Sequence, residues 1–158
     1  MGKGVVDLLK EQIKNEPFSN HMGIILRDIG PGYAVVEAKF SEKMNSFHGL
    51  THGGAISALV DVATGAAANS HGTIAFALNM SITYIEPPEI HALLIAEAKE
   101  ESRTKRTATY HIEVFQKNEN ETKRIAICHA LAYRQGNPLP FLNCLNNEPF
   151  DGEGKEGK

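Results

Sequence analysis

The stretch NSFHGLTHGGAISALVDVATG, residues 45–65, decides how this chain folds. A loop with two histidines leads into the pair Gly53-Gly54, and a run of very small apolar residues follows without a proline. Asp61 is the one acid in that run. A helix that is apolar nearly all round is buried, and small side chains let neighbouring elements approach it closely. Residues 53–69 are therefore predicted to form a central helix wrapped by a curved sheet.

The rest of the chain is predicted to supply the sheet and two terminal segments. Alternating apolar residues bounded by Gly, Pro and Asn are typical of strands, and the last two strands are predicted to pair as a hairpin. We expect an N-terminal helical segment at 1–19, one domain at 20–134 and a C-terminal tail at 135–158 whose end, 151–158, is disordered. The predicted elements are an amphipathic helix at 4–15, two strands flanking 30–32, and strands at 74–87, 91–102, 107–117 and 123–134.

The composition limits the function classes. A chain of 158 residues with 42% hydrophobic and 22% charged residues is long and apolar enough for one globular domain. A net charge of -3 without a basic block argues against nucleic acid as a partner. There is no apolar run long enough to span a membrane and no secretory apolar region near the N-terminus. With only two cysteines and no metal-type spacing, a reduced, cytoplasmic protein is expected.

Gly53 and Asp61 are the first candidates for chemistry. The amides at a helix start lack intrahelical partners, so Gly53 can bind an anion or a developing oxyanion. The alternative is that the glycine pair only allows a tight turn. Asp61 lies about 12 Å further along the helix and cannot act on a carbonyl held at Gly53 of the same chain. A joint site requires a second, antiparallel helix across a twofold axis. Otherwise Asp61 is a structural acid, bonded to a group such as Thr64.

A family resemblance adds to this. The pattern HGG-x6-D, His52-Gly53-Gly54 to Asp61, resembles the signature of hotdog-fold acyl-CoA thioesterases of the phenylacetate-degradation (PaaI-like) branch. ANSHG at 68–72, SITYIEPP at 81–88 and KRTATYHIEV at 105–114 are similar to later parts of that family.

The resemblance implies an α+β hotdog fold, dimers that share a continuous sheet, and in many relatives dimers of dimers. It implies that the Gly53 amide polarises the thioester carbonyl, while Asp61 of the partner chain is the nucleophile or the general base. His52 flanks the thioester in this scheme. The family's asparagine lies six residues before this histidine, where Ser46 stands, so either Asn45 or Ser46 has its role. Ala77 occupies the place of a strand Ser or Thr that holds water in some relatives.

Other residues complete the predicted site. Gly54 is a candidate for substrate binding, and the basic cluster Arg103, Lys105 and Arg106 either meets the phosphates of coenzyme A or is a solvated turn. No metal is expected at His48 and His52, because no third ligand accompanies them, and no cofactor is expected beside the coenzyme A thioester substrate.

The function expected from these residues is hydrolysis of an acyl-CoA thioester. The alternative is a hotdog module that binds acyl-CoA without turnover, as a regulator would. The residues do not identify the acyl group of the substrate. Only the family resemblance suggests an aromatic acyl group. Three aromatic residues are either pocket or core residues: Phe47, Phe76 and Tyr84.

Overall fold

The computed structural model describes residues 4–119 and 121–145, so the predicted disorder at 151–158 lies outside the described residues. Two helices open the chain, and a long helix separates the first strand pair from the other four strands. The elements are α1 (Val5–Lys14), α2 (Pro17–Met22), β1 (Ile24–Gly30), β2 (Tyr33–Lys39), a 3₁₀ helix (Glu42–Met44), α3 (Gly53–Asn69), β3 (Thr73–Tyr84), β4 (Leu93–Arg103), β5 (Thr107–Lys117), β6 (Thr122–Pro138) and a 3₁₀ helix (Pro140–Leu145).

The described strands form one antiparallel, curved sheet in the order β1-β2-β4-β5-β6-β3. Helix α3 packs across one face of that sheet and contacts every strand. The predicted α+β hotdog architecture, with one long central helix, is confirmed. The bounds of α3 coincide with the prediction, because the glycine pair and the polar residues 69–70 mark its two ends.

The centre of the molecule lies between α3 and the inner face of the sheet. Leu59, Val60 and Ala63 of α3 are completely buried, as are Ile112 and Val114 of β5. Complete burial of a Leu or Val side chain contributes about 1.5–3 kcal/mol. The small residues of α3 therefore serve close packing, as their pattern predicted.

Tight turns fix the register of the outer strands. Gly30 pairs with Tyr33 at the β1–β2 turn, and Gly32 has φ +70°. A Cβ at Gly32 would lie 2.9 Å from Cβ of Glu100, so both the conformation and the space call for glycine. The predicted hairpin of β5 and β6 is likewise confirmed, with Lys117 opposite Thr122.

The two ends of the domain differ from the sequence prediction. The predicted helix ends near Pro17, but a second helix, α2, begins there, because proline fits the first position of a helix. The predicted boundary at 19/20 thus falls inside α2. At the other end β6 continues past residue 134 to Pro138, with Gly136 at φ +88°.

Two surfaces of the described chain remain uncovered. Strand β3 is an edge strand of 12 residues on which Phe76, Leu78 and Tyr84 are each about half exposed or more. One face of α3, which includes Gly54 and Asp61, is also open. A long edge strand with exposed apolar side chains is a template for pairing with another chain. No helix in the described residues is long and apolar enough to cross a membrane.

Candidate active site

The start of α3 offers one unpaired amide. His52 is the N-cap residue, and its Nδ1 accepts a hydrogen bond from the Gly54 amide at 2.8 Å. The Gly53 amide has no acceptor within the described residues. The donor available to a ligand is therefore that of Gly53. The Gly54 amide is not available for the predicted substrate binding, because it already donates to His52.

A small hairpin loop presents the residues before the helix. Asn45 and Thr51 form an antiparallel bridge at its base, which places Asn45 next to the strand that enters His52. The Ser46 hydroxyl accepts a hydrogen bond from the His48 amide at 3.3 Å, inside the loop. The Asn45 side chain has no hydrogen-bond partner within the described residues. Of the two candidates for the family's asparagine position, Asn45 is therefore the one whose polar side chain is available to a ligand, because the Ser46 hydroxyl already accepts a hydrogen bond.

Ser57 and Tyr84 join the first turn of α3 to the end of β3, and sequence reasoning missed this pair. Their hydroxyls lie 2.5 Å apart, where either can donate to the other. Both are also within hydrogen-bond distance of the Gly53 carbonyl oxygen, at 3.1 Å from Ser57 and 3.2 Å from Tyr84. The Tyr84 ring also limits space at Gly53, since a Cβ there would lie 3.4 Å from its Cζ. The one signal in the sequence is that Ser57 stands four residues after Gly53.

We expect Tyr84→Phe to lower kcat for thioester hydrolysis several-fold without unfolding the chain. The change removes one phenol hydroxyl at an exposed position, which costs about 1 kcal/mol of stability. A double-mutant cycle with Ser57→Ala checks this in thermal melts and rate measurements. Because the two hydroxyls touch, their effects should be non-additive by about 0.5 kcal/mol or more. Additive effects would show that the pair does not act together.

Asp61 lies on the uncovered face of α3 and is exposed. Thr64 is not its partner: that hydroxyl is buried and donates to the Val60 carbonyl at 2.8 Å, along the helix. No group in the described residues hydrogen bonds to the Asp61 carboxylate. Desolvation by neighbouring protein atoms raises the pKa of Asp61 above its usual value, and the negative charge of Glu16 raises it further. Within the described residues, neither Thr64 nor another group supplies the hydrogen bond that a structural role of Asp61 would require.

Two cavities open at Asp61. One, of about 380 Å³, lies between α3 and β3 and is lined by Ser57, Asp61 and Ala77 among others. The other, of about 480 Å³, lies between α3 and the N-terminal helices and includes Glu16 and Phe18. The sequence analysis placed the N-terminal helical segment, residues 1–19, outside the domain that carries the candidate site. The structure places its C-terminal connection beside the candidate catalytic acid.

A third cavity, of about 430 Å³, lies at Gly53 and is lined by the loop 46–52 and the segment 84–88. Phe47 is 95% exposed there and stacks on His48, with ring centroids 3.9 Å apart. Phe76 and Tyr84 are also about half exposed, so none of the three candidate aromatics belongs to the core. Asp61 does not line this cavity. Within one chain the free amide and the acid therefore face different spaces.

The basic cluster lies at the far end of the sheet. Arg103, Lys105 and Arg106 are exposed at the β4–β5 turn. The register places Thr107 opposite Tyr133, and Tyr133 opposite Phe76. Phe76 is eight residues before Tyr84, which corresponds to about 26 Å along β3. Within one chain the cluster therefore lies at the opposite end of β3 from Tyr84, the residue that contacts Gly53.

Neither a metal nor a reactive thiol is indicated at this site. Among the described residues, His48 and His52 belong to no group of three metal-type ligands, and Nδ1 of His52 already caps the helix. Cys128 is buried in β6, and burial raises the pKa of its thiol to about 11. It is therefore an ordinary strand residue.

Comparisons with known proteins identify relatives of this chain. A family model described as the thioesterase superfamily matches residues 48–123. A protein of Archaeoglobus fulgidus named "Putative esterase" is 34% identical over 137 residues, which cover 86% of this chain and 87% of the relative. The acyl-coenzyme A thioesterase PaaI of Escherichia coli is 28% identical over 126 residues, 80% of this chain and 88% of the relative.

Solved structures extend the likeness to three dimensions. A mutant of the phenylacetic acid degradation protein PaaI from Thermus thermophilus is 34% identical, with a TM-score of 0.70 over 75% of this chain and 99% of that chain. This identity and coverage show membership as well as fold. The chain belongs to the thioesterase superfamily of hotdog-fold proteins, in the group that contains PaaI.

Proposed function

We propose that this chain is an acyl-CoA thioesterase whose active site combines Gly53 of one chain with Asp61 of a second. The observation that carries the proposal is the unpaired Gly53 amide at the start of α3, in a chain of a thioesterase family. An amide at that place points at the position where negative charge develops on a thioester oxygen. The names of the relatives, one of them an acyl-coenzyme A thioesterase, support the substrate class.

The chemistry needs few groups, because a thioester carbonyl is electrophilic and a thiolate leaves readily. The carbonyl oxygen accepts the Gly53 hydrogen bond. The Asp61 carboxylate of the partner chain then either attacks the carbonyl carbon or removes a proton from an attacking water. Collapse of the intermediate breaks the C–S bond and releases coenzyme A, and the acyl group leaves as the free acid, directly or after hydrolysis of an anhydride. Asn45 and His52 border the reacting groups in this scheme.

The sharing of the site between chains rests on three features. Gly53 and Asp61 are eight residues apart on one helix and line different cavities. The face of α3 that carries Asp61 is uncovered, and the edge of β3 is unpaired within the described chain. Antiparallel pairing of two β3 strands would extend the sheet and bring two α3 helices together. A homodimer is the minimal assembly, and a dimer of dimers remains a prediction.

The same dimer offers positions for the two ends of the substrate. In such a dimer the exposed turn with Arg103, Lys105 and Arg106 of one chain approaches the Gly53 end of the other, where it can meet coenzyme A phosphates. The cavity at Asp61 that includes Phe18 and Val62 is available to the acyl chain. An aromatic acyl group, of the phenylacetyl type, is the first candidate because relatives carry phenylacetic acid degradation in their names. We place the reaction in the cytoplasm, the reducing compartment expected for a chain with only two cysteines.

Release of free thiol from a panel of short, long and aromatic acyl-CoAs tests the proposal. We expect turnover with a preference for one acyl class, and a native mass of two chains or a multiple of two. The non-catalytic binding module is the second candidate. Acyl-CoA binding measured by calorimetry, without any thiol release across the panel, would establish that candidate and overturn hydrolysis.

A further inference from the structure

The outer face of the sheet, away from α3, carries a cluster of potential metal ligands that the thioesterase reaction does not use. His111 of β5 and His129 of β6 are directly opposite in the strand register, with ring centroids 5.0 Å apart. Glu101 of β4 joins them because the β4–β5 register shifts between Glu100 and Ser102, which makes Glu101 the extra residue of a bulge. One ligand atom from each of the three residues lies within 4.8 Å of the other two.

The position of these residues follows from the alternation of each strand. The neighbours of His111 along β5, Tyr110 and Ile112, are completely buried against α3, so His111 points to the opposite face. His129 alternates in the same way with the buried Cys128. The cluster therefore lies across the sheet from Gly53 and Asp61. It is independent of the proposed thioesterase site.

The surroundings of the two His111 nitrogens are compatible with metal binding. Its Nε2 lies 4.0 Å from the Glu113 carboxylate, which Arg124 holds at 2.7 Å. Its Nδ1 is buried and has no hydrogen-bond partner. A metal-binding histidine characteristically directs its second nitrogen to a carboxylate. An unpaired, solvent-shielded nitrogen is unfavourable in the protein alone, and binding of a metal ion would satisfy it.

The local charges also permit a cation. Lys99 stands opposite His111 in the register, but its ammonium group lies 2.5 Å from the Glu97 carboxylate, which offsets its charge. Glu101 and His129 are exposed, so an ion can reach them from solvent. Ligands at about 2.0–2.1 Å from a tetrahedral ion are about 3.3 Å apart, which requires only a small closing movement of these side chains.

We propose that Glu101, His111 and His129 bind a divalent first-row transition metal, with Zn²⁺ the best match to two imidazoles and one carboxylate. Three protein ligands leave a fourth position for water. Because the ligands come from β4, β5 and β6, binding links three neighbouring strands and stabilises the folded sheet.

The test uses the full chain, freed of metal with a chelator and titrated with ZnCl₂ in a calorimeter. We expect one Zn²⁺ per chain and a thermal unfolding temperature that rises with Zn²⁺ concentration. Co²⁺ in place of Zn²⁺ should give the visible absorption of a tetrahedral site. His111→Gln and His129→Gln should each weaken binding at least 10-fold. Glu101→Gln, at an exposed position, should weaken it as well and serves if a histidine change destabilises the sheet.

His21→Gln is the matched control, because His21 is an exposed histidine on α2, outside the cluster. It should bind Zn²⁺ as the wild type does. The proposal is wrong if the wild type shows no saturable binding. It is equally wrong if the three cluster variants bind Zn²⁺ with unchanged affinity, because the ions would then be held by other histidines.

Discussion

Asp61→Asn is expected to lower kcat for acyl-CoA hydrolysis by about 10²–10⁴-fold, the usual contribution of a positioned base. The side chain keeps its shape and loses the charge that a nucleophile or base requires. Since no group of the same chain hydrogen bonds to the carboxylate, the change leaves no broken contact within the described fold. Thiol release under saturating substrate measures the effect, and sedimentation shows whether the assembly is intact.

The stability of this variant distinguishes a functional acid from a structural one. A carboxyl whose pKa is raised on folding opposes folding at pH values above its unfolded pKa, where the unfolded chain is ionised. At neutral pH Asp61→Asn should therefore unfold at the same temperature as the wild type or a higher one. A large drop in unfolding temperature, with activity retained, would make Asp61 a structural residue.

The pH dependence of activity, compared between the wild type and a Glu16 variant, tests whether Asp61 is the titrating group. Activity should fall as the pH is lowered through the raised pKa of Asp61, at a higher pH than an ordinary aspartate gives. Glu16→Gln removes the second cause of that rise, so the acid limb should move to lower pH while kcat at neutral pH is unchanged. An acid limb that does not respond to Glu16 would place the titrating group elsewhere.

The parts of the molecule that local sequence could predict are those governed by local rules. The bounds of α3, the turn at Gly32 and the β5–β6 hairpin follow from small-residue helicity, glycine conformation and strand alternation, and all three were confirmed. The separation of Gly53 and Asp61 along the helix also follows from helix geometry alone. This is why a site shared with a second chain could be proposed from the sequence.

The missed features depend on contacts between segments far apart in the chain. Tyr84 reaches Ser57 across 27 positions, and Glu16 stands beside Asp61 only because α1 and α2 fold back on the central helix. The periodicity of hydrophobic residues along the sequence does not indicate which distant segments come into contact. The bulge at Glu101 was missed for the same reason. Glu101 faces His111 because the register of β4 and β5 shifts there, and no Gly, Pro or Asn in the sequence indicates that shift.

Gly53→Pro tests the proposed oxyanion donor by removing one N–H with little other change. His52 has φ -65° and ψ 137°, a conformation that tolerates a following proline. Gly53 is the first residue of α3, where proline is favoured. We expect kcat to fall about 10²–10³-fold, the usual effect of losing an oxyanion-hole donor. Gly53→Ala is the control: it has the same Cβ, 3.4 Å from Tyr84 Cζ, but retains the amide and most of the activity.

The same variant decides whether the site is shared between chains. A mixed dimer of one Gly53→Pro chain and one Asp61→Asn chain contains, across the twofold axis, one site with both native groups and one with neither. If each site takes Gly53 from one chain and Asp61 from the other, the purified mixed dimer recovers about half of the wild-type activity from two inactive parents. If both groups acted within a chain, every site in the mixed dimer would carry one defect and activity would stay at the level of the parents. The difference spans about two orders of magnitude, so a simple thiol-release assay on differently tagged chains resolves it.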